Sequence, residues 1–184
     1  QHILKKASCK ACASQTSLIE RRVARDMWGD ARTSYAAPSR RKSKRADYIE
    51  MDGIKVPSAQ YPGQFCFPHM PRPGLLQTPP SGADHSPLWN IKFYGDTNRL
   101  KRIKKKYPGR VKFKFRYRPT EFSQMLLKAA YCHALTEIPI DLFSNNFRDA
   151  IFDAGFNHSR LVGFSERQLG RQELGYFFQT ELIG

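Results

Sequence analysis

Two cysteines near the amino end have the spacing of a metal-binding pair. Cys9 and Cys12 are separated by two residues, so their thiolates can turn back on one cation as they do in zinc-binding loops. A tetrahedral zinc site needs four ligands, and the C-x-x-H spacing of Cys66 and His69 would supply the other two. The spacing therefore predicts a metal site that includes Cys9 and Cys12, with Cys66 and His69 as one way to complete it.

The same cysteine spacing has two other interpretations. One is a thioredoxin-like redox pair, which is disfavoured because no βαβ pattern surrounds the two residues. The other is chance spacing. The chain has four cysteines in 184 residues, which is too few for a disulfide scaffold. This cysteine usage favours a reducing compartment and predicts a cytoplasmic protein.

The charge balance predicts an anionic partner. Lys and Arg number 31 against 16 Asp and Glu, which gives a formal net charge of +15. Each cation placed on a phosphate releases a condensed counterion, so an excess of this size favours nucleic acid. An anionic membrane surface and a merely solvated basic surface are the alternatives. No apolar run approaches the roughly 20 residues of a membrane span, and we expect no membrane insertion.

The cations are concentrated in two stretches. The first covers residues 38–45, and in the second, residues 99–118, 11 of 20 residues are Lys or Arg and none is acidic. We predict that both stretches contact nucleic acid, preferably DNA. The candidate residues are Arg40, Arg41, Lys42, Lys44, Arg45, Lys104, Lys105, Lys106, Lys112, Lys114 and Arg116.

A strand is predicted over residues 110–118. Apolar residues alternate there with Lys112, Lys114 and Arg116, which places one set on each face of an extended chain. The aromatic residues of this stretch are Phe113, Phe115 and Tyr117. They would either stack on bases or be buried against the next helix, and burial is favoured. The cationic face is the stronger candidate for nucleic-acid binding.

Other elements must position these residues. Ser17 and Glu20 have capping-box spacing, which predicts a helix that ends at Gly29. Asp52 and Gly53 predict the type I′ turn of a β-hairpin. Most of the prolines fall in residues 57–87, where we expect no regular element. A further strand is expected over residues 88–94.

Two more helices are predicted in the last third. Thr120 is the expected N-cap of the first, which Pro139 terminates, and the second covers residues 147–154. His133 is expected to be buried and hydrogen-bonded in the first of these helices. His158 is expected in a surface loop.

Residues 3–32 resemble the second half of an HNH endonuclease-like module. The resemblance is carried by Leu-Lys-Lys-Ala-Ser-Cys-Lys-Ala-Cys-Ala and by Glu-Arg-Arg-Val-Ala-Arg-Asp-Met-Trp-Gly-Asp-Ala-Arg-Thr, which begins at Glu20. It implies a ββα-metal finger of treble-clef type with a structural Zn²⁺ held by four cysteines, of which Cys9 and Cys12 are the second pair. We expect the first pair and the catalytic His upstream of Gln1, in a longer parent protein.

The resemblance implies hydrolysis of phosphodiester bonds in DNA by the parent. A His would activate water while Mg²⁺ or a similar cation stabilises charge on the phosphate. Many such fingers have Asn directly after the second cysteine pair, whereas this chain has Ala13. The resemblance therefore assigns Cys9 and Cys12 as metal ligands, assigns no catalytic residue, and implies that this chain alone is inactive.

Together these patterns predict an α+β protein in three parts. A partial zinc finger covers residues 1–36, a basic connector with a β-hairpin and a proline-rich loop covers 37–87, and a basic αβ extension with a strand and two or three helices covers 88–184. The leading hypothesis is an HNH-type endonuclease. The alternatives are a non-catalytic zinc-containing nucleic-acid-binding module and a basic structural or interaction protein.

Overall fold

The computed structural model describes residues 10–37, 46–70, 73–76, 90–139 and 145–163. The fold is mixed α+β, as predicted. Its helices are α1 (Lys10–Arg22), α2 (Gly29–Ser34), α3 (Thr97–Lys106), α4 (Pro119–Glu137) and α5 (Asn145–Phe152), with a π-helical turn at Val23–Met27 and 3₁₀ turns at Gly74–Leu76 and His158–Arg160. Its strands are β1 (Tyr48–Met51), β2 (Ile54–Pro57), β3 (Gln64–His69) and β4 (Asn90–Gly95).

The chain divides into two compact units. One, here called the hairpin unit, comprises residues 21–68 and 90–118. The other, here called the helical unit, comprises residues 1–20, 69–89 and 119–184. The predicted division at residues 36 and 87 stays a prediction.

The predicted β-hairpin is confirmed. Strands β1 and β2 are antiparallel, with Ile49 opposite Val56. The φ angles of Asp52 and Gly53 are 50° and 78°, so both central turn residues have the positive values that a type I′ turn requires. This turn matches the twist of the two strands and fixes their register.

One face of the hairpin forms the core of its unit. Ile49, Met51 and Val56 are buried with Tyr61 and with Ile103 of α3. Burying an apolar side chain of this size contributes about 1.5–3 kcal/mol. Partly buried side chains complete the cluster: Ile54, Tyr107, Val111 and Phe113.

The proline-rich stretch contains a strand, so the prediction of no regular element there was wrong. Strand β3 pairs with β4 in a second two-stranded sheet. A strand of such a sheet has an unpaired edge, and Pro68 can occupy it without removing a ladder hydrogen bond. Strand β4 confirms the strand expected near residues 88–94.

Two glycines allow close backbone approaches around the second sheet, Gly63 toward α2 and Gly95 toward Gly63. A Cβ atom at Gly63 would lie 2.7 Å from the Cα atom of Ala31 and 2.8 Å from the Cβ atom of Ser34. A Cβ atom at Gly95 would lie 2.7 Å from the carbonyl oxygen of Gly63. All three distances are shorter than any ordinary contact, so the packing requires glycine at both positions.

The first helix differs from its prediction at its start and confirms the predicted end closely. Ser17 lies inside α1, and its hydroxyl donates to the carbonyl oxygen of Ser14 (2.7 Å), so the predicted capping box was wrong. The helix continues into the π-helical turn, where Val23 and Met27 are buried. The helical run ends at Met27 with Trp28 as its C-cap, within two residues of the predicted end at Gly29, and Gly29 itself begins α2.

Helix α3 was not predicted. Asp96 caps it by accepting hydrogen bonds from the backbone N–H groups of Asn98 (2.8 Å) and Arg99 (3.0 Å). The Arg99 N–H group, followed by that of Asn98, holds the pKa of Asp96 below its ordinary value. Ile103 attaches the helix to the core of the hairpin unit.

The helical unit confirms both helices predicted in the last third of the chain. Helix α4 begins at Pro119, one residue before the predicted N-cap, and buries Phe122 and Leu127. Helix α5 packs on α4, with the rings of Tyr131 and Phe147 stacked 6.5 Å apart.

Two histidines of this unit differ from their predictions. His158 is buried, with its Nε2 atom 2.9 Å from the carbonyl oxygen of Ala150, so its assignment to a surface loop was wrong. Burial lowers the pKa of His158 below its ordinary value. His133 is half-buried, not buried.

Across the described helices, none is both long and apolar enough to cross a membrane.

Candidate nucleic-acid interface

The cations of α3 face solvent because the opposite side of the helix is attached to the core. Ile103 is 4% exposed, whereas five cations of the helix are exposed. Three of them lie in the last turn, where positive charge also compensates the helix dipole. The exposed cations are Lys101, Arg102, Lys104, Lys105 and Lys106.

Residues 110–118 present a second set of cations, although not as a strand. They pair with no other strand among the described residues, so the predicted basic strand was wrong. The predicted alternation is largely present in the exposure: Lys112, Lys114 and Arg116 are exposed, while Phe113 is half-buried. The period-two pattern thus sorts most of the side chains between solvent and core without a sheet.

The aromatic residues of this segment pack within the hairpin unit. The ring of Phe113 meets that of Tyr61 edge to face, with centroids 6.2 Å apart. Tyr117 is half-buried, and burial raises its pKa to about 12. Phe115 is the exception and is 37% exposed.

The segment is held by a few polar contacts. The backbone N–H of Arg116 donates to the carbonyl oxygen of Asp26 (2.8 Å), and the Nε atom of Arg118 donates to the Asp26 carboxylate (2.8 Å). Nearer its start, the Nζ atom of Lys112 donates to the carboxylate of Asp52 in the hairpin turn (3.1 Å). These contacts fix both the course of the segment and the exposure of its cations.

A basic cleft of about 330 Å³ lies between α3 and the loop that follows β2. Arg99, Arg102 and Lys106 line it together with Ala59, Gln60 and Ile103. A cleft lined by three cations suits a phosphate group. The three cations follow helical spacing along α3, which is a signal present in the sequence, although Arg99 and Arg102 were not among the predicted residues.

Arg99 is fixed in this cleft by neighbours on three sides. Its Nη1 atom donates to the hydroxyl of Ser34 (3.2 Å), its Nε atom lies 3.5 Å from the Asp96 carboxylate, and its guanidinium lies 5.0 Å from the ring centroid of Tyr35. A guanidinium that is already ordered loses little side-chain entropy when an anion binds.

The predicted metal ligands are only partly described. Cys12 is half-buried in the first turn of α1, whereas Cys9 lies outside the described residues. Within those residues, no three or more His, Cys, Asp or Glu side chains are grouped as a metal site requires. Zinc at Cys9 and Cys12 therefore stays a prediction.

Cys66 has an environment that disfavours the thiolate form needed to bind a metal. It is fully buried, and burial raises its pKa to about 11. Its carbonyl oxygen accepts a hydrogen bond from the indole N–H of Trp28 (2.7 Å). These contacts fit a structural residue of β3 better than a ligand.

The other predicted site is also outside the described residues. It comprises the cations of the connector, Arg40, Arg41, Lys42, Lys44 and Arg45.

Comparisons of the chain with known protein families, curated proteins and solved structures found no match. The function is therefore inferred from the residues of this chain.

Proposed function

We propose that the protein binds nucleic acid through the cations of α3, the half-buried Arg99 included, and the exposed cations of residues 110–118, here together called the basic surface. The observation that supports this is a run of 11 cations in 20 residues with no acidic residue. Both halves of the run are attached to one core, so the cations are held in place on a folded unit. A fixed array of cations releases the counterions of a phosphate backbone when it binds.

The basic surface is more than a means of keeping the protein soluble. Solvating charges need no fixed position, yet Arg99 is held by Ser34, Asp96 and Tyr35. Arg99 also lines the cleft with two further cations. Cations gathered in a concave site repel each other, and an anion in that site relieves the repulsion.

The test is the salt dependence of DNA binding. Replacing Lys112, Lys114 and Arg116 together by Gln is expected to lower the slope of log K against log salt by about 0.9 for each phosphate that the variant no longer neutralises. Fluorescence anisotropy with a labelled oligonucleotide measures the slope. The matched control replaces three exposed cations elsewhere in this unit, Arg21, Arg22 and Arg25, by Gln.

The control variant is expected to keep the wild-type slope, since its cations lie outside the basic surface. Equal slopes for all three proteins would remove the cations of residues 110–118 from the proposed binding surface. Absence of binding even at low salt would reject nucleic acid as the partner.

A second candidate is HNH-type endonuclease activity of the full natural protein. Cys12 lies in the first turn of α1, and a helix after the second cysteine pair is what the resemblance to a treble-clef finger implies. Cys9 and Cys12 would hold a structural Zn²⁺ with two further cysteines. The hydrolysis would also need a His and a divalent cation such as Mg²⁺, and no residue of this chain is assigned to that step.

Metal analysis and a nicking assay test the endonuclease proposal. The full natural protein is expected to contain one equivalent of zinc and to cleave DNA only with an added divalent cation. Replacing Cys9 and Cys12 by Ser should remove the zinc, whereas Cys132→Ser should not. Zinc that persists without Cys9 and Cys12 would exclude them as ligands, and a full protein without zinc or cleavage would reject the assignment.

A further inference from the structure

Two phenylalanines of the hairpin unit are exposed side by side. Phe93 of β4 is 44% exposed and Phe115 is 37% exposed. Their ring centroids are 5.3 Å apart at an interplanar angle of 74°. In an edge-to-face pair only one face of one ring is covered by the other ring, so the pair retains aromatic surface for a further planar group.

The chain segments that carry the two rings also carry cations. Lys114 and Arg116 flank Phe115, and Lys92 precedes Phe93, and all three are exposed. Successive side chains of an extended chain point to opposite sides, so these cations lie on the same chain segments as the rings but not on the same face, and a strand whose base stacks on a ring would carry its phosphates past them. Phe115 is also the one aromatic residue of the alternating segment that does not turn into the core.

We propose that the Phe93–Phe115 pair stacks unpaired bases, so that the ligand of the basic surface is single-stranded nucleic acid. This inference depends on the proposed nucleic-acid binding and adds that the bound nucleic acid is single-stranded. In a duplex the faces of each base are covered by its neighbours, whereas a single strand can present a base to an aromatic ring.

The cations argue against an apolar protein partner at this place. A partner large enough to cover both chain segments would move Lys92, Lys114 and Arg116 out of water together with the two rings, which is costly. A polyanion with planar groups satisfies both the rings and the cations at once.

Three labelled ligands separate stacking from charge: oligo(dT) of about 12 nucleotides, an abasic strand of the same length, and a duplex. The full chain is expected to bind oligo(dT) at least tenfold more tightly than the abasic strand, since stacking contributes about 1–3 kcal/mol per base. Phe93→Leu and Phe115→Leu should each reduce this preference severalfold. Phe115→Trp should retain it.

Tyr48→Leu is the matched control. Tyr48 is an aromatic residue of the same unit and is 56% exposed, but Glu50 and the hairpin Asp52 lie near it in the sequence and disfavour a phosphate backbone. The control should retain the wild-type preference for oligo(dT).

The possible outcomes distinguish this inference from the proposed function. Equal affinity of the wild type for oligo(dT) and the abasic strand would overturn stacking and leave nucleic-acid binding intact, as would preference for the duplex. Unchanged preference in both Leu variants would also overturn it. If those variants do not fold, quenching of the added indole in Phe115→Trp by oligo(dT), but not by the abasic strand, supports stacking, and its absence overturns it. No binding of any ligand would reject both proposals.

Discussion

The hairpin and residues 110–118 show what an alternating pattern can and cannot specify. Both stretches alternate apolar and polar residues, and both turn apolar side chains toward the same core. The hairpin closes a ladder because Asp52 and Gly53 return the chain directly onto itself. Residues 110–118 follow helix α3, and no described strand pairs with them.

The comparison shows that burial of alternate side chains and pairing with a neighbouring strand are separate properties. Alternation determines which side chains are buried, since successive residues of an extended chain point to opposite sides. A ladder needs in addition a neighbouring strand, which only the connection can bring into place. The basic segment is accordingly fixed by the contacts of Asp26 and Asp52, and its stability should depend on fewer and weaker interactions.

The largest effect is expected from the hairpin side of the core. Met51 is 1% exposed, and Met51→Ala should lower the free energy of unfolding by about 2–5 kcal/mol, because it removes buried contacts and leaves a cavity. Urea denaturation measures the change. The exposed neighbour Tyr48 is the control, and Tyr48→Ala should cost less than about 1 kcal/mol. Similar losses in the two variants would mean that the hairpin does not bury this face.

A smaller loss is expected from the contact that replaces strand pairing in the basic segment. Asp26→Ala removes the carboxylate that binds Arg118 (2.8 Å) and should cost about 1–2 kcal/mol, since both side chains remain partly exposed to water. Asp26→Asn keeps an acceptor oxygen and should cost less.

Hydrogen exchange shows which part of the unit is destabilised in Asp26→Ala. Exchange of the Arg116 amide should accelerate in Asp26→Ala, while the amides of Ile49 and Val56 should keep their wild-type rates. Equal acceleration at all three amides would contradict the separate anchoring of the segment.

The turns that lead into the two stretches should be equally sensitive. Gly53 and Gly109 have φ angles of 78° and 73°, and an alanine at either position should cost about 1–2 kcal/mol through backbone strain. Gly29→Ala is the control, because an added Cβ atom meets nothing within 4 Å there and alanine favours a helix. Thermal unfolding of the three variants measures the difference, and a tolerated alanine at Gly53 would contradict the type I′ turn.

The smallest effect concerns the ion pair that joins the two stretches. Lys112 and Asp52 are 3.1 Å apart, with side chains 66% and 39% exposed, so their coupling should be below about 1 kcal/mol. A double-mutant cycle with Lys112→Met and Asp52→Asn measures it, and Asn retains the positive φ of the turn. The coupling should disappear in about 1 M salt; persistence there would indicate a pair shielded from solvent.

The elements that sequence predicted correctly carry their signal locally. Asp52 and Gly53 encode a turn, and the apolar spacing of α4 with Pro139 beyond its end encodes a helix. Helix α3 also had a local signal in Asp96, but its many lysines indicate a charged surface more strongly than they indicate helical spacing. The buried position of His158 has no local signal, because it depends on the carbonyl group of Ala150 in another element.

The candidate site was predictable in part for the same reason. Lys112, Lys114 and Arg116 were found from alternation, which survives in the structure although the strand does not. Arg99 was missed because its role in the cleft comes from Ser34 and Tyr35, which are distant in the sequence. The exposure of Phe115 likewise depends on where Phe93 lies, and no spacing within residues 110–118 reveals it.

The close contact between Gly63 and α2 affects the position of Arg99 in the basic cleft. A Cβ atom at Gly63 would collide with Ser34. The hydroxyl of Ser34 donates to the carbonyl oxygen of Tyr61 (2.6 Å) and accepts from Arg99 (3.2 Å). A single methyl group at Gly63 would displace Ser34 and release the guanidinium that it orients. The absence of a side chain at Gly63 thus determines the position of the Arg99 guanidinium in the cleft.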